Sequence, residues 1–328
     1  MSKSTSLLLL LVGVALAFGC AAPALKSLHP GAAPPPIHEL WQPPVDVATR
    51  DLFNGAGGAE LAPGPNSRFE FVEEDTTGAS PGYTARDENG TEWDIKLGEE
   101  VQPEVVLSRL LWAVGYHQPP TYYVPAGWTI AGAPASVKIA AGPQGHARFR
   151  PDRAGQQIVG DWSWYENLFV GTRPFKGLVL ANFMLSNRDL KTSNNKIYSV
   201  ASPVRDASQF YVVRDLGRAL GKESLTFPRW LRWRALAGSM NNVGDFEETG
   251  FIRRVRPDGV VEFEYSGLEG NLFDDISTDD VVWLCELFGR LTDTQWDDAF
   301  RAAGYPEDVR ARYVRKIKEK VGQGLALK

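Results

Sequence analysis

Cysteine is scarce in this chain, whose 328 residues include only Cys20 and Cys285. Cys20 ends an apolar N-terminal stretch typical of a targeting signal, which leaves Cys285 as the one thiol of the mature chain once Cys20 is acylated. A single thiol excludes a disulfide framework within the chain. The fold must therefore be stabilised by its core, and we expect Cys285 to be a small buried apolar residue of a helix at 280–291.

The chain also lacks an excess of basic residues. It has 35 Lys and Arg against 40 Asp and Glu, which gives a formal net charge of −5 at pH 7. A nucleic-acid surface normally needs a basic face, so this balance argues against nucleic acid as a partner. Hydrophobic residues make up 43% of the chain, which is enough for a substantial core.

Apolar runs long enough to cross a membrane are missing as well. The apolar stretch 7–18 is shorter than the roughly 20 residues that a membrane-spanning helix needs. Lys3 precedes this stretch as the positive end of a secretory signal. We therefore predict that residues 1–20 are a signal peptide and that the protein is exported to the bacterial cell envelope.

The end of this segment, Ala17-Phe18-Gly19-Cys20, resembles a lipoprotein signal. In such a signal, a small residue before the cysteine permits lipidation and cleavage at that thiol. A lipid on Cys20 would make the membrane a partner. Phe18 is bulkier than that pattern usually carries, and the small residues around Cys20 would also suit an ordinary signal peptidase. Both kinds of processing imply export.

Residues 21–65 are rich in Ala, Pro and Gly and show no sustained helical or strand period. This composition predicts a tether that holds a folded domain off a membrane surface, with one helical turn at 45–53. Ordered structure should begin near residue 66, where alternating patterns start.

Residues 66–150 combine strands with one helix. Pro103 opens the helix, whose apolar stripe runs to Gly115. Strand-like patterns separated by glycine-bearing turns predict an antiparallel sheet, with strands at 68–73, 83–86, 91–97, 121–124 and 136–140.

Residues 151–328 are mainly helical by pattern, so we expect an α+β protein. The predicted strand pair lies at 196–200 and 210–213. Apolar residues recur at helical spacing in four runs, at 175–185, 280–291, 293–303 and 307–321.

The most specific chemical signal is two polar segments that flank this strand pair, 187–194 (NRDLKTSN) and 213–217 (VRDLG). Phosphoryl transfer needs hard oxygen ligands that converge on Mg²⁺ and a carboxylate in line with the attacking group. Asp189, Asn194 and Asp215 would supply these groups. The alternative is a solvated loop, since Asp, Asn and Lys are common in turns.

Lys96 is the candidate phosphate ligand from the strand 91–97. Strand alternation puts Trp93 and Ile95 on one face and Lys96 on the other, beneath the preceding hairpin. Glu104 would pair with Lys96 from the next helix, and Glu100 is a rival for that role. The alternatives are an exposed strand lysine and a carboxylate that only stabilises a helix N-terminus.

The turn 78–82 (GASPG) contributes Gly78, Ser80 and Gly82. Glycines let backbone N–H groups approach phosphates without side-chain obstruction. An ordinary hairpin turn would have the same composition.

In their order along the chain, these segments resemble the protein kinases. The run 187–194 is similar to the kinase motif H-R-D-x-K-x-x-N, and Asp215 is similar to the Asp of D-F-G, although Asn187 replaces His and Leu216 replaces Phe. The turn 78–82 and the helix 103–115 with its leading Glu resemble the divergent HipA-type kinases and their exported kinase-like relatives. The resemblance covers residues 69–217.

The resemblance implies a bilobal protein kinase-like fold, with a small lobe at 66–150, of antiparallel sheet plus one helix, and a mostly helical large lobe at 151–328. It implies transfer of phosphate from ATP with Mg²⁺ to a hydroxyl acceptor, first a protein Ser or Thr and next a small molecule, lipid or glycan. Asp94 departs from the pattern, because kinases usually carry a small apolar residue there against the adenine ring. The implied roles are catalysis by Asp189 and Lys191, metal binding by Asn194 and Asp215, and nucleotide binding by Gly78, Ser80, Gly82, Lys96 and Glu104.

Other functions fit parts of the sequence. ATP is scarce outside the cytoplasm, which favours a catalytically reduced kinase-like scaffold or binding protein of the envelope. Ten Trp and ten Tyr in an exported chain suggest glycan binding. The run 229–234 (RWLRWR) either grips an anionic or planar substrate or forms a helix whose Trp and Leu pack inward.

Overall fold

The computed structural model describes residues 23–29, 31, 35–64, 66–76, 80–137, 142–204, 207–222, 238–265 and 269–328. The expected signal peptide, Cys20, Gly78 and the run 229–234 lie outside these residues. Within them, the protein is a mixed α+β protein that combines a curled seven-stranded sheet with several helices. The expected α+β class is confirmed.

In the described ranges, the strands form four sheets. The largest sheet has the order β5-β8-β4-β3-β2-β6-β7, in which only β2 and β6 run parallel, and β12-β11-β9 form an antiparallel sheet. β13 pairs with β14, and β1 pairs in parallel with β10. The strands of the described residues are β1 (Lys26–Ser27), β2 (Arg68–Asp75), β3 (Gly82–Arg86), β4 (Glu92–Leu97), β5 (Tyr122–Val124), β6 (Thr129–Ala131), β7 (Gly142–Pro143), β8 (Ala147–Pro151), β9 (Gln156–Asp161), β10 (Glu166–Asn167), β11 (Asn195–Val204), β12 (Ala207–Val213), β13 (Ile252–Val255) and β14 (Val261–Phe263).

The helices lie mainly in the second half of the chain. None of the helices in the described ranges combines the length and the apolar character needed to cross a membrane. The α-helices are α1 (Ile37–Leu40), α2 (Val101–Ala113), α3 (Arg173–Met184), α4 (Val243–Glu247), α5 (Thr278–Gly289), α6 (Asp293–Arg301) and α7 (Glu307–Leu325). Short 3₁₀ turns occur at Val47–Thr49, Gly55–Gly57, Thr192–Asn194 and Gly270–Phe273.

The helix predicted after Pro103 is α2, which begins two residues earlier, at Val101. Pro103 still lies in the first turn, where a missing N–H leaves no hydrogen bond unmade. Eleven of the 13 residues of α2 are buried, Glu104 and Arg109 among them. The helix contacts β5 and β8 on one side and α6 on another, so it is buried between the sheet and the helices instead of showing one apolar stripe.

The two faces of the seven-stranded sheet differ in chemistry because side chains alternate along β4 and β8. Trp93 and Phe149 belong to an apolar cluster on one face, whose ring pairs include Trp128 against Phe149 at 5.0 Å between centroids. The pairing of β4 with β8 places Lys96 beside Arg148 on the opposite face. One face therefore forms a small aromatic core, and the other presents charges toward α2.

The expected tether at 21–65 differs from the structure. Leu40, Val47 and Leu52 are completely buried in the main core, and the Trp41 indole N–H donates to the carbonyl oxygen of Val114 at 2.7 Å. Gly115 has a φ of 102°, and a Cβ there would lie 2.3 Å from the carbonyl oxygen of Gln42. The segment is therefore part of the folded domain. Its few apolar anchors follow no helical or strand period, so the sequence pattern did not reveal them.

The second half of the chain contains more strand than its pattern predicted. The four predicted helical runs correspond to α3, α5, α6 and α7, and the predicted strand pair corresponds to β11 and β12. Strands β9, β10, β13 and β14 were not predicted. In the predicted strand 136–140, Ser136 and Val137 lie in a turn, and residues 138–140 are outside the described ranges. Cys285 is buried in α5 as expected, and burial raises the pKa of its thiol to about 12.

Candidate functional site

A polar cavity of about 530 Å³, called the site cavity below, lies at the charged face of the seven-stranded sheet. Its wall comprises residues of β3, β4 and β8, the start of α2, and the segments 189–196 and 214–218. Gly78 is outside the described residues. The other eight residues predicted for the site all line the cavity: Ser80, Gly82, Lys96, Glu104, Asp189, Lys191, Asn194 and Asp215.

The ammonium group of Lys96 contacts three carboxylates of the site. Its Nζ lies 3.1 Å from Glu100, 3.2 Å from Glu104 and 3.1 Å from Asp215. Both carboxylates that the sequence offered as partners, Glu100 and Glu104, therefore contact it. Burial by itself lowers the pKa of Lys96, but Glu104 and Asp215 outweigh that effect and raise the pKa above its ordinary value. The ammonium group is held in its charged form.

Glu104 is the most deeply buried carboxylate of the site, with 1% of its side chain exposed. Arg148 and Arg150 of β8 lie 3.0 Å and 2.6 Å from its Oε1 atom. Burial would raise the pKa of Glu104, but Arg148, Lys96 and Arg150 together lower it to about 2. The carboxylate therefore stays ionised and fixes three cations.

Asp94 belongs to the same network. One carboxylate oxygen lies 3.1 Å from Arg148, and the other lies 2.5 Å from Arg214. Arg150 is 3.8 Å from Asp94. Burial would raise the pKa of Asp94, but the three guanidinium groups outweigh it and hold the pKa well below its usual range. The residue that departs from the kinase pattern is thus bound in a network of arginines.

Sequence reasoning missed Arg148 and Arg150. The segment Ala147-Arg148-Phe149-Arg150 alternates small or aromatic residues with cations, which is the pattern of a strand with one apolar and one charged face. That alternation was the available signal. No local pattern could show that the charged face of β8 would lie beside Lys96, since strand pairing joins distant parts of the chain.

Backbone hydrogen bonds join the two polar segments of the motif. The carbonyl oxygen of Asn194 accepts from the backbone N–H groups of Arg214 at 2.9 Å and Asp215 at 3.2 Å. The Asn194 side-chain amide donates to the carbonyl oxygen of Asp189 at 2.8 Å. Asn194 therefore holds Asp189 and Asp215 in fixed relation to each other.

The residue that stands in place of the kinase histidine, Asn187, has a clear structural role. Its side chain is buried, donates to Asn182 at 2.8 Å and accepts from the backbone N–H of Asp189 at 3.3 Å. Asn187 thus connects the segment that carries Asp189 to helix α3. Beside it, Lys191 is largely exposed, and its Nζ lies 2.7 Å from the Asp189 carboxylate.

The side chains of Asn194 and Asp215 carry oxygen donors of the kind that Mg²⁺ prefers. Mg²⁺ is usually bound by one or two carboxylates together with substrate phosphates and water. In the part of the chain that the structure describes, no group of three or more His, Cys, Asp or Glu side chains is placed to hold a metal. Asn194 and Asp215 offer one amide oxygen and one carboxylate, which suits a shared site of this kind and not a closed protein cage.

The chain matches no protein-family model, no curated protein and no solved structure. The resemblance to kinases is an expectation from the order of its short motifs, and the structure adds only that their residues line one cavity. The functional proposal therefore depends on these residues and their contacts.

Proposed function

We propose that the protein is a magnesium-dependent phosphotransferase that moves the terminal phosphate of ATP to a hydroxyl group. The observation that carries this proposal is the meeting of Lys96, Asp189, Asn194 and Asp215 at one cavity from three separate segments of the chain. A solvated polar loop needs no such meeting. The residue types are those that phosphoryl transfer requires, in the order that kinases have.

The same proposal assigns the fold to the bilobal kinase-like type. The seven-stranded sheet with α2 corresponds to the small lobe, 66–150, and the helices with the sheet β12-β11-β9 correspond to the large lobe, 151–328. The site cavity has walls from both parts, which is where kinases bind their substrates.

Each residue of the site has a role in the proposed reaction. Asp189 orients the acceptor hydroxyl and takes its proton, while the hydroxyl oxygen bonds to the terminal phosphorus and the bond to the bridging oxygen breaks, releasing ADP. Lys96, held by Glu104, binds phosphate oxygens. Asn194 and Asp215 would hold Mg²⁺, which neutralises charge on the phosphate chain. Lys191, 2.7 Å from Asp189, offsets charge beside the transferred group.

Several further assignments belong to this proposal. Ser80 and Gly82 border the site cavity and bind phosphates with Gly78. The acceptor is first a protein Ser or Thr hydroxyl.

Export and a lipid anchor at Cys20 are also part of the proposal, and metabolic labelling with a radioactive fatty acid would test the anchor. Label that is retained in C20A would exclude lipidation at that thiol.

Thermal unfolding with ATP and Mg²⁺ tests the nucleotide site. A ligand at 100 times its dissociation constant stabilises the native state by about 2.7 kcal/mol, so the melting temperature should rise by roughly 5 °C or more. The rise should require Mg²⁺ and be lost in D215N. D274N is the matched control, because Asp274 is exposed and does not line the site cavity.

A kinase-like scaffold of the cell envelope is the second candidate. The observation that favours it is the saturation of Lys96 by three carboxylates, together with the arginine network on Asp94, since both could persist without substrate. No change in melting temperature at millimolar ATP and Mg²⁺ would favour this scaffold over the enzyme.

A further inference from the structure

The lining of the site cavity is wholly polar in the described residues. Seven of its 17 lining residues are Lys or Arg and six are Asp or Glu. The other four are Ser80, Gly82, Ser193 and Asn194. No aliphatic or aromatic side chain is among them, although ligand pockets are usually lined mainly by apolar and aromatic groups.

A nucleobase would form few favourable contacts inside such a cavity. A planar base is bound largely through stacking on apolar faces, and its faces cannot replace the water that hydrates charged groups. The nearest aromatic side chains of β4 and β8, Trp93 and Phe149, belong to the opposite face of the sheet. Neither β4 nor β8 thus provides a stacking surface on this side.

The charged side chains of the wall are held by ion pairs, so they cannot easily move away to expose an apolar surface for a base. Arg148 has only 3% of its side chain exposed and contacts both Asp94 and Glu104. Removing one partner from a buried ion pair leaves an uncompensated charge, which is strongly destabilising. The network that fills this wall is therefore maintained when a ligand enters.

A phosphate chain, in contrast, suits the same lining. Lysine and arginine form short charge-assisted hydrogen bonds to phosphate oxygens. Arg218 lines the cavity, is exposed, and its side chain has no ion pair or hydrogen bond within the described part of the chain. Lys191 is also largely exposed, with 62% of its side chain accessible. Arg218 is thus available to an incoming anion, and Lys191 lies at the open side of the cavity in an ion pair with Asp189.

We infer that the site recognises its donor through the magnesium-bound phosphate chain alone, and that inorganic tripolyphosphate serves as a donor as well as ATP. This inference rests on the proposed phosphotransferase function and specifies its donor class. The acceptor hydroxyl bonds to a terminal phosphorus of tripolyphosphate, the bond to the bridging oxygen breaks, diphosphate leaves and the proton passes to Asp189. This transfer needs no reactant besides the acceptor and tripolyphosphate. A donor without a nucleobase would also suit a cell envelope in which ATP is scarce.

Titration calorimetry and thermal unfolding of the full-length chain with Mg²⁺ test the inference, with tripolyphosphate, ATP and adenosine as the probes. We expect the dissociation constants of tripolyphosphate and ATP to agree within about threefold, and adenosine to cause no thermal shift at millimolar concentration. R218Q should weaken both phosphate ligands by the same factor. R290Q, a change of an exposed arginine outside the cavity, should leave both affinities unchanged.

The outcomes separate this inference from the function on which it rests. ATP binding more than tenfold tighter than tripolyphosphate, or binding of adenosine alone, would overturn the inference and leave the phosphotransferase intact. Equal loss of ATP and tripolyphosphate binding in R218Q supports the inference, and a loss confined to ATP opposes it. If neither phosphate ligand shifts the melting temperature, both the inference and the proposed function fail.

Discussion

The two faces of strands β4 and β8 differ in what they contribute to the molecule. One face carries Trp93 and Phe149, which pack with other aromatic rings into a dry core. The other carries Asp94, Lys96 and Arg148. Arg148 pairs with Asp94, and both Lys96 and Arg148 pair with Glu104. Apolar burial stabilises a fold directly, whereas buried ion pairs lose much of their attraction to desolvation. The charged face therefore contributes less to the free energy of unfolding than an apolar face of the same size would, which favours a functional role for it.

The largest effect should come from Glu104→Ala. This change leaves Arg148, Arg150 and Lys96 without their shared carboxylate, so the free energy of unfolding should fall by about 3–5 kcal/mol. Binding of the Mg²⁺–ATP complex should weaken as well, because Lys96 then keeps only Glu100 and Asp215 as partners. Denaturant unfolding and calorimetry measure the two effects.

Glu286→Ala is the control for this change. Glu286 is about half exposed and pairs with Lys328 at 2.8 Å, so the cost should stay below about 1 kcal/mol. A loss of stability in E104A no larger than in E286A would show that the charged face is not a coupled network.

Phe149→Ala tests the apolar face. Removing this fully buried ring should cost about 3–5 kcal/mol in the free energy of unfolding. Phe149 does not line the site cavity, so the dissociation constant of the Mg²⁺–ATP complex should stay within about twofold of the unchanged protein. A tenfold weaker affinity in folded F149A would mean that the two faces are not separable.

The pH dependence of stability should identify the contribution of Glu104. Its pKa is lowered from 4.5 to about 2 in the folded state, so its stabilisation is fully present above about pH 4.5 and is lost as the pH falls through 2. The loss should be on the order of 3 kcal/mol. Melting temperatures between these pH values should fall less steeply in E104Q, and an equal slope in both proteins would argue against this assignment.

The smallest effect on stability should come from Lys191→Met. The side chain is 62% exposed, and its ion pair with Asp189 should contribute less than about 1 kcal/mol. Chemical denaturation would measure the change. A loss of 2 kcal/mol or more would place Lys191 with the buried network instead of the open side of the cavity.

The sequence allowed prediction of those features that local patterns encode. Alternation along 91–97 and helical spacing after Pro103 gave β4 and α2 within a few residues, and the polar segments 187–194 and 213–217 do meet at one cavity. What escaped prediction depends on contacts between distant segments. Arg148 lies in the site only because β8 pairs with β4, and Leu40 is buried only because the core accepts an irregular segment.

If Cys20 carries the proposed lipid, the pairing of β1 with β10 sets the length of the linker between the membrane and the folded domain. Lys26 donates its backbone N–H to Tyr165 at 2.7 Å, so the folded domain already begins there. Under the proposed anchor at Cys20, only six peptide steps separate the lipid from this contact, which spans at most about 20 Å. The tether predicted from the composition of residues 21–65 would have let the domain move much farther from the membrane. Under the proposed anchor and the proposed reaction, a linker this short would keep the domain, and the acceptors that it can reach, close to the bilayer surface.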